Sequence, residues 1–278
     1  MIIVTGASGF IGSNLVRRLY EIGERNIICV DYVNRHEYYK DIPGIFTPPD
    51  DFYNNTETYK NIKAVFHEGA ISSTTETDAN KLFNYNTNCT WKLIYYCRDN
   101  QIPLQYASSA SVYGNPSIEE WHNPNKPTNP LNQYATTKMQ IDYVAGCVIN
   151  SKRPPVLLQG MRYFNVYGPN EDHKGDQASP YSKFAKQLKE TGRIKLFEGS
   201  KDFYRDFISV DDVISKKLDI FYNRSSGIYD VGTGTPKSFY DVAIEVGGSD
   251  SVIDWVPMPD NLKKHYQKYS CAIDHSNL

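Results

Sequence analysis

The chain lacks the marks of membrane, secreted and nucleic-acid-binding proteins. No apolar run approaches the roughly 20 residues of a bilayer span, and Met1 leads into a strand pattern without a charged leader. The five cysteines, Cys29, Cys89, Cys97, Cys147 and Cys271, have no paired spacing, which favours reduced thiols over a disulfide frame or zinc site. The six histidines include no His-x-x-x-His pair, so a metal site has little support. Neither sign of charge is in excess: the net charge of −2 rules against a nucleic-acid footprint or a polybasic membrane patch. Repeats and low-complexity tracts are also missing. These absences lead us to expect a cytoplasmic protein with no metal and neither nucleic acid nor membrane as partner.

What is present suits a large core. With 278 residues, 40% of them hydrophobic, the chain can form one large domain or a domain with a smaller lobe built onto it. Buried-strand patterns at residues 1–5, 27–30, 64–67, 103–107 and 156–164 alternate with helical patterns at 10–20, 79–98 and 134–148. That alternation predicts an α/β fold with a doubly wound parallel sheet. Past Asn165 the elements shorten: helices at 179–191, 210–222 and 238–246, and a strand at 194–197. The expected division is a nucleotide-binding domain over 1–165, with 206–231 returning to it, and a smaller C-terminal α/β substrate lobe over 166–278. Segments 43–51 and 115–132, rich in Pro, Asn and Asp, read as surface loops.

Gly6, Gly9 and Gly12 stand between the first strand and the first helix. A glycine pattern alone says little, but this placement is the one a Rossmann dinucleotide site requires. Gly6 permits the turn, Gly9 lets backbone approach a pyrophosphate, Gly12 lets helix pack on strand, and the helix N-terminus attracts the phosphates. Asp31 ends the second strand about 20 residues on, where a carboxylate accepts from the adenosine ribose hydroxyls. This favours NAD over NADP. Arg35 and Lys40 follow closely and could offset the charge, so both NAD and NADP stay open.

The hydroxyl-rich run Tyr106-Ala107-Ser108-Ser109-Ala110-Ser111-Val112-Tyr113-Gly114 follows a buried strand, so it emerges at the carboxyl edge of the sheet. Tyr134 and Lys138 then stand four apart on one helical face. Bringing a phenol from pKa about 10 to near 7 takes roughly 4 kcal/mol, which two cations, Lys138 and an oxidised nicotinamide, can supply. Tyr134 is then a general base, with Ser109 donating to the same substrate oxygen.

The glycine turn, the Ser-Ser-Ala-Ser-Val-Tyr-Gly strand end and the Tyr134/Lys138 pair resemble the extended short-chain dehydrogenase/reductases, which modify nucleotide sugars. Further segments narrow the resemblance to the ADP-glycero-manno-heptose 6-epimerase family: His67-Glu68-Gly69-Ala70, Ser72-Ser73-Thr74-Thr75-Glu76, Arg162 through Pro169, His173-Lys174-Gly175, Leu196 through Ser200, and Arg205-Asp206-Phe207. The likeness spans nearly the whole chain. It implies oxidation at C6 of the heptose by a tightly bound NAD or NADP, followed by return of the hydride to the other face. It assigns acid/base roles to Tyr134 and Lys174, although a phosphate or nicotinamide contact is an alternative for Lys174. It also implies cofactor contacts from Phe10, Ile11, Asp31, Glu68, Gly69, Ala70, Ile71, Ser72, Asn86 and Val166, beside Gly6, Gly9, Gly12, Tyr134, Lys138 and Lys174. Ser73, Thr74, Ser109, Asn165, Phe197, Glu198, Gly199, Ser200, Arg205 and Tyr266 would hold the substrate, a small nucleotide sugar. Phe197 and Tyr266 also read as core aromatics, and a homo-oligomer is expected.

The sequence departs from the family pattern in places. The stretch between Asp31 and His67 is short, and its Pro43, Pro48 and Pro49 discourage a central strand. Tyr32 and Tyr85 stand where asparagines are expected, and Asp176 and Lys183 where Ser and His are expected. The chain ends soon after Tyr266, short of the closing helix the resemblance implies, as in a shortened variant. A UDP-hexose 4-epimerase and a non-catalytic NAD(P)-binding protein are the alternatives. A dehydratase is disfavoured because Ala110 and Ser111, not acids, follow Ser109.

Overall fold

In a computed structural model, residues 1–38, 42, 44–260 and 267–273 are described. Lys40, Pro43 and Tyr266 lie outside the described residues.

The apolar run after Met1 forms β1 (Ile2–Thr5), buried on both faces, as central parallel strands must be. It is followed by α1 (Phe10–Glu21), β2 (Ile27–Val30), β3 (Ile45–Thr47), α2 (Pro49–Asn54) and β4 (Ala64–His67). Strand β3 corrects the expectation of plain loop over 43–51. It is three residues long and pairs with β2 alone, at the sheet edge. Pro48 lies beyond it and Pro49 starts α2, where a missing N–H costs nothing.

One long helical pattern was expected over 79–98. The run instead comprises α3 (Ala79–Leu82), a π-helical segment (Phe83–Asn88) and α4 (Cys89–Asp99). Next come β5 (Leu104–Ser109), α5 (Ile118–Trp121), α6 (Gln133–Ile149) and β6 (Leu158–Tyr163). Segment 115–132 is not simply a surface loop. A Ser117/Glu120 capping box starts α5, Trp121 is fully buried, and Lys126 forms a sealed ion pair with Asp230 at 2.9 Å. Polar composition concealed one apolar anchor and one paired charge.

The remaining elements are β7 (Asn165–Tyr167), α7 (Pro180–Thr191), β8 (Ile194–Phe197), β9 (Tyr204–Arg205), β10 (Phe207–Ser209), α8 (Val210–Asn223), β11 (Gly227–Val231), β12 (Lys237–Ser238), α9 (Phe239–Gly247) and β13 (Ile253–Val256). The main sheet runs β11-β6-β5-β4-β1-β2-β3, every pair parallel. Helices α1 and α8 bury Leu15, Val16, Leu19, Val210, Ile214 and Leu218 on one face. Helices α4 and α6 bury Leu93, Ile94, Cys97, Ile141, Ala145 and Val148 on the other. This is the doubly wound arrangement expected. A separate core joins α7, β8, β10, α9 and β13 through Phe184, Ile194, Leu196, Phe207, Val242 and Ile253. Among the described residues, no helix is long and apolar enough to cross a membrane.

Chain order reverses between β1 and β4, where ligands bind in sheets of this kind. Gly6 follows the first of these strands and Glu68 the second.

Candidate active site

The cleft outside β1 and β4 has a volume of about 540 Å³. Gly6 closes its first wall with φ +66°, and a Cβ there would lie 2.5 Å from the Gly69 nitrogen. A Cβ on Gly12 would lie 2.0 Å from the Gly6 carbonyl oxygen. Gly9 caps α1 with no side-chain hydrogen bond, and the first turn holds no acid. The leading N–H groups of α1 are therefore available to an anion. Asp31 Oδ2 accepts from Ser8 N–H at 2.9 Å, and Arg35 Nη1 donates to Ser8 O at 3.0 Å, so a carboxylate and a guanidinium brace the same turn.

Behind the cleft, hydroxyls and one imidazole fix the neighbouring strand ends. Thr90 Oγ1 donates to Asn86 O at 2.6 Å, so it accepts from His67 Nε2 at 2.9 Å. His67 Nδ1 then accepts from Thr5 Oγ1 at 2.6 Å, and Thr5 Oγ1 accepts from Gly69 N–H. Burial pushes His67 down to about 3, with Lys138 acting in the same direction, so this neutral tautomer persists at ordinary pH. Asn86 is fully buried and does not line the cleft. Its amide pairs with both backbone groups of Ile71, at 2.8 and 3.0 Å, and so sets the wall that Ile71 forms.

Asn132 caps α6 through Ala135 N–H, which places Tyr134 in the first turn beside the end of β5. Ser109 Oγ accepts from both the hydroxyl and the N–H of Ser111, at 2.9 and 3.2 Å. Lys138 donates to Ala107 O at 2.8 Å, with its Nζ 5.9 Å from the Tyr134 ring centroid. Burial pushes Lys138 down to about 8 against the opposing pull of Glu68 and Asp142. Burial pushes the Tyr134 phenol up, while its hydrogen bond with Ser109 acts the other way. Among the protein groups, burial thus outweighs what lowers the phenol.

Lys174 reaches the cleft from a short 3₁₀ segment (Asp172–Gln177). Buried Glu171 clasps this loop, accepting from Gly168 N–H, Ser179 N–H and Ser179 Oγ. Lys174 Nζ lies 5.1 Å from the Phe10 ring centroid, and burial pushes its pKa down against the Glu171 charge. Tyr38 OH lies 3.2 Å from His173 Nδ1, joining this loop to the one after β2.

Glu68 and Tyr163 complete the floor. Tyr163 donates to Glu68 Oε1 at 3.1 Å, and Lys217 pairs with the same oxygen. Lys217 went unread because a helical lysine is normally solvated. Its signal was position: it falls seven residues after Val210 on the apolar stripe that Val213 and Ile214 continue. Glu68 Oε2 and Ser108 Oγ are buried without a hydrogen-bond partner among the described residues. Both residues line the cleft, and a dinucleotide rich in hydroxyl and amide groups fits them, as it fits the uncapped helix.

Most of the residues read as cofactor contacts, along with Thr74 and Ser109, line this one cleft. Ser73, Asn165, Phe197, Glu198, Gly199, Ser200 and Arg205 do not. Asn165 Nδ2 donates to Asp206 O at 3.3 Å. Ser200 is buried and Glu198 exposed. Arg205 donates to Tyr204 O at 2.9 Å and to Gln267 O. Pro49, Tyr53, Tyr85 and Cys89 also line the cleft, unforeseen as site residues. The five cysteines are free. Among the described residues no group of three or more His, Cys, Asp or Glu is placed to hold a metal.

A parallel sheet with a glycine turn after its first strand, and a Tyr-x-x-x-Lys helix flanking the cleft at its switch point, defines a dinucleotide-using enzyme of the Rossmann class. The chain belongs to the NAD dependent epimerase/dehydratase family, whose model matches residues 2–232. It is 40% identical over 284 residues to the ADP-L-glycero-D-manno-heptose-6-epimerase of Brachyspira hyodysenteriae, covering 98% of this chain and 89% of the relative. The enzyme of the same name from Alkalilimnicola ehrlichii is 38% identical over 293 residues, covering 98% and 88%. The crystal structure of Helicobacter pylori ADP-L-glycero-D-manno-heptose-6-epimerase superposes with a TM-score of 0.83 at 26% identity, covering 98% of this chain and 86% of that one.

Proposed function

We propose that this chain converts ADP-D-glycero-D-manno-heptose to ADP-L-glycero-D-manno-heptose by transient oxidation at C6. The observation that carries the reading is that Tyr134, Ser109, Lys138 and Lys174 all line the cleft built on the glycine turn. When bound, the dinucleotide supplies the hydride acceptor and then the donor. Tyr134 takes the C6 hydroxyl proton as C6 loses hydride. Ser109, whose oxygen already accepts twice and which is hydrogen-bonded to the Tyr134 phenol, turns its hydroxyl hydrogen to the reacting oxygen when substrate enters. Lys138 holds positive charge beside the phenol. Lys174, its pKa lowered by burial, serves as acid/base group for the opposite presentation of the ketone. Proton and hydride both return, so no net redox change results.

Several finer points complete the proposal. Either NAD or NADP is bound tightly, since Asp31 and Arg35 both face the cleft. Residues 1–165 with 206–231 serve as the nucleotide-binding part and the rest as a substrate lobe, in which Phe197 to Ser200 and Arg205 hold the nucleotide sugar. The chain works in the cytoplasm as a homo-oligomer; an apolar groove lined by Trp91, Met139, Tyr143 and Val144 supports self-association. NMR of ADP-D-glycero-D-manno-heptose incubated with the purified chain tests the assignment. Inversion at C6 is expected. Unchanged heptose together with conversion of UDP-glucose would replace it with a 4-epimerase.

A further inference from the structure

Tyr32, Pro49, Tyr53, Tyr85 and Cys89 also line the cleft that Asp31 enters, and nothing above gives them a role. Tyr32 follows Asp31 directly and is 60% exposed; Tyr85 is 45% exposed. Distant in sequence, the two rings meet edge to face with centroids 6.0 Å apart and planes at 76°. The π-helical segment makes this possible. Its wider turn sends Asn86 inward to Ile71 and leaves the neighbouring Tyr85 on the cleft side, and such segments recur at functional sites. Both tyrosines stand where the resemblance leads one to expect asparagine, so two separate departures from the pattern create one contact.

Large rings left open to water at a cleft mouth call for a partner more than buried ones do. The position identifies its chemistry. Asp31 sits where the adenosine ribose is held, and the group attached beyond that ribose is a purine, a flat π-surface. We propose that Tyr32 and Tyr85 form an aromatic clasp for the adenine ring of the dinucleotide, slowing its departure from the cleft. This rests on the dinucleotide reading and not on the identity of the sugar. Base–aromatic stacking tolerates many bases and needs no hydrogen-bond readout, so the clasp adds affinity without adding a choice between NAD and NADP.

The test is equilibrium binding of NADH to the full chain stripped of dinucleotide, with reduced nicotinamide mononucleotide, which lacks adenosine, as the second probe. Tyr32→Asn and Tyr85→Asn should each weaken NADH binding roughly tenfold, and the double variant by less than the product because the rings act together. Tyr32→Phe and Tyr85→Phe keep the ring and should bind NADH as the unaltered chain does. The mononucleotide should bind all variants equally. Unchanged NADH binding in the double Asn variant overturns the clasp, as does equal weakening of both probes or a loss in the Phe variants. No heptose enters the assay, so a wrong sugar assignment leaves the result standing. Failure of the unaltered chain to bind either NADH or NADPH would remove the dinucleotide reading and the clasp together.

Discussion

Lys217 of α8 and Glu68 at the end of β4 form an ion pair whose side chains are 0% and 3% exposed, at the floor of the cleft. Lys217 Nζ also lies 5.0 Å from the Phe66 ring centroid, so the carboxylate and Phe66's π-face both offset its lost hydration. Burial pushes its pKa down and the Glu68 charge opposes that. Lys217→Met should cost about 3–5 kcal/mol, because it strands a buried carboxylate. Denaturant unfolding measures this, and Glu68→Gln added to Lys217→Met should recover most of the loss. A single variant as stable as the unaltered chain would show that the pair is not needed.

Lys138 carries a pH signature. Its folded-state value of about 8 lies below the ordinary 10.5, so the group opposes folding below pH 8. That opposition is withdrawn as pH climbs from about 8 to 10.5, where the unfolded chain holds more protons. In the dinucleotide-free protein, ¹³C-labelled lysine NMR, assigned with Lys138→Met, should show one side chain titrating near 8. Titration near 10.5 would contradict the burial account.

Two glycines should respond oppositely to alanine. At Gly12 the added carbon meets the Gly6 carbonyl, whereas at Gly146, inside α6, nothing lies within 4 Å. Gly12→Ala should abolish dinucleotide binding or folding. Gly146→Ala should raise stability by about 0.5–1 kcal/mol from helix propensity. Thermal unfolding and NADH binding read both.

How legible these features were in the sequence depended on how local they are. The glycine turn and the Tyr134/Lys138 pair could be read because a βα turn and an i,i+4 spacing fix geometry within one segment. Strand β3 could not: three residues between prolines carry no periodicity, and only pairing with β2 makes them a strand. Trp121 and Lys126 were hidden by polar neighbours, and Lys217 by the habit of lysine to face water. For Arg205 the fork is legible in the sequence, but its donation to the distant Gln267 carbonyl is not. The π-helical segment leaves no mark in a pattern that scans at helical period.

Lys174→Met should abolish epimerisation yet leave NADH binding within about threefold, since its charge is one of several contacts in the cleft. Stopped turnover with intact binding supports an acid/base role. Full activity removes that role, and loss of binding makes the residue a cofactor contact.

Transient oxidation requires hydride to leave C6 and return to the same carbon within one cleft. Incubation in ordinary water of ADP-D-glycero-D-manno-heptose deuterated at C6, followed by NMR and mass spectrometry of the product, tests it most directly. ADP-L-glycero-D-manno-heptose with its C6 deuterium retained is the expected product. Loss of deuterium to solvent, or unchanged configuration at C6, would contradict it.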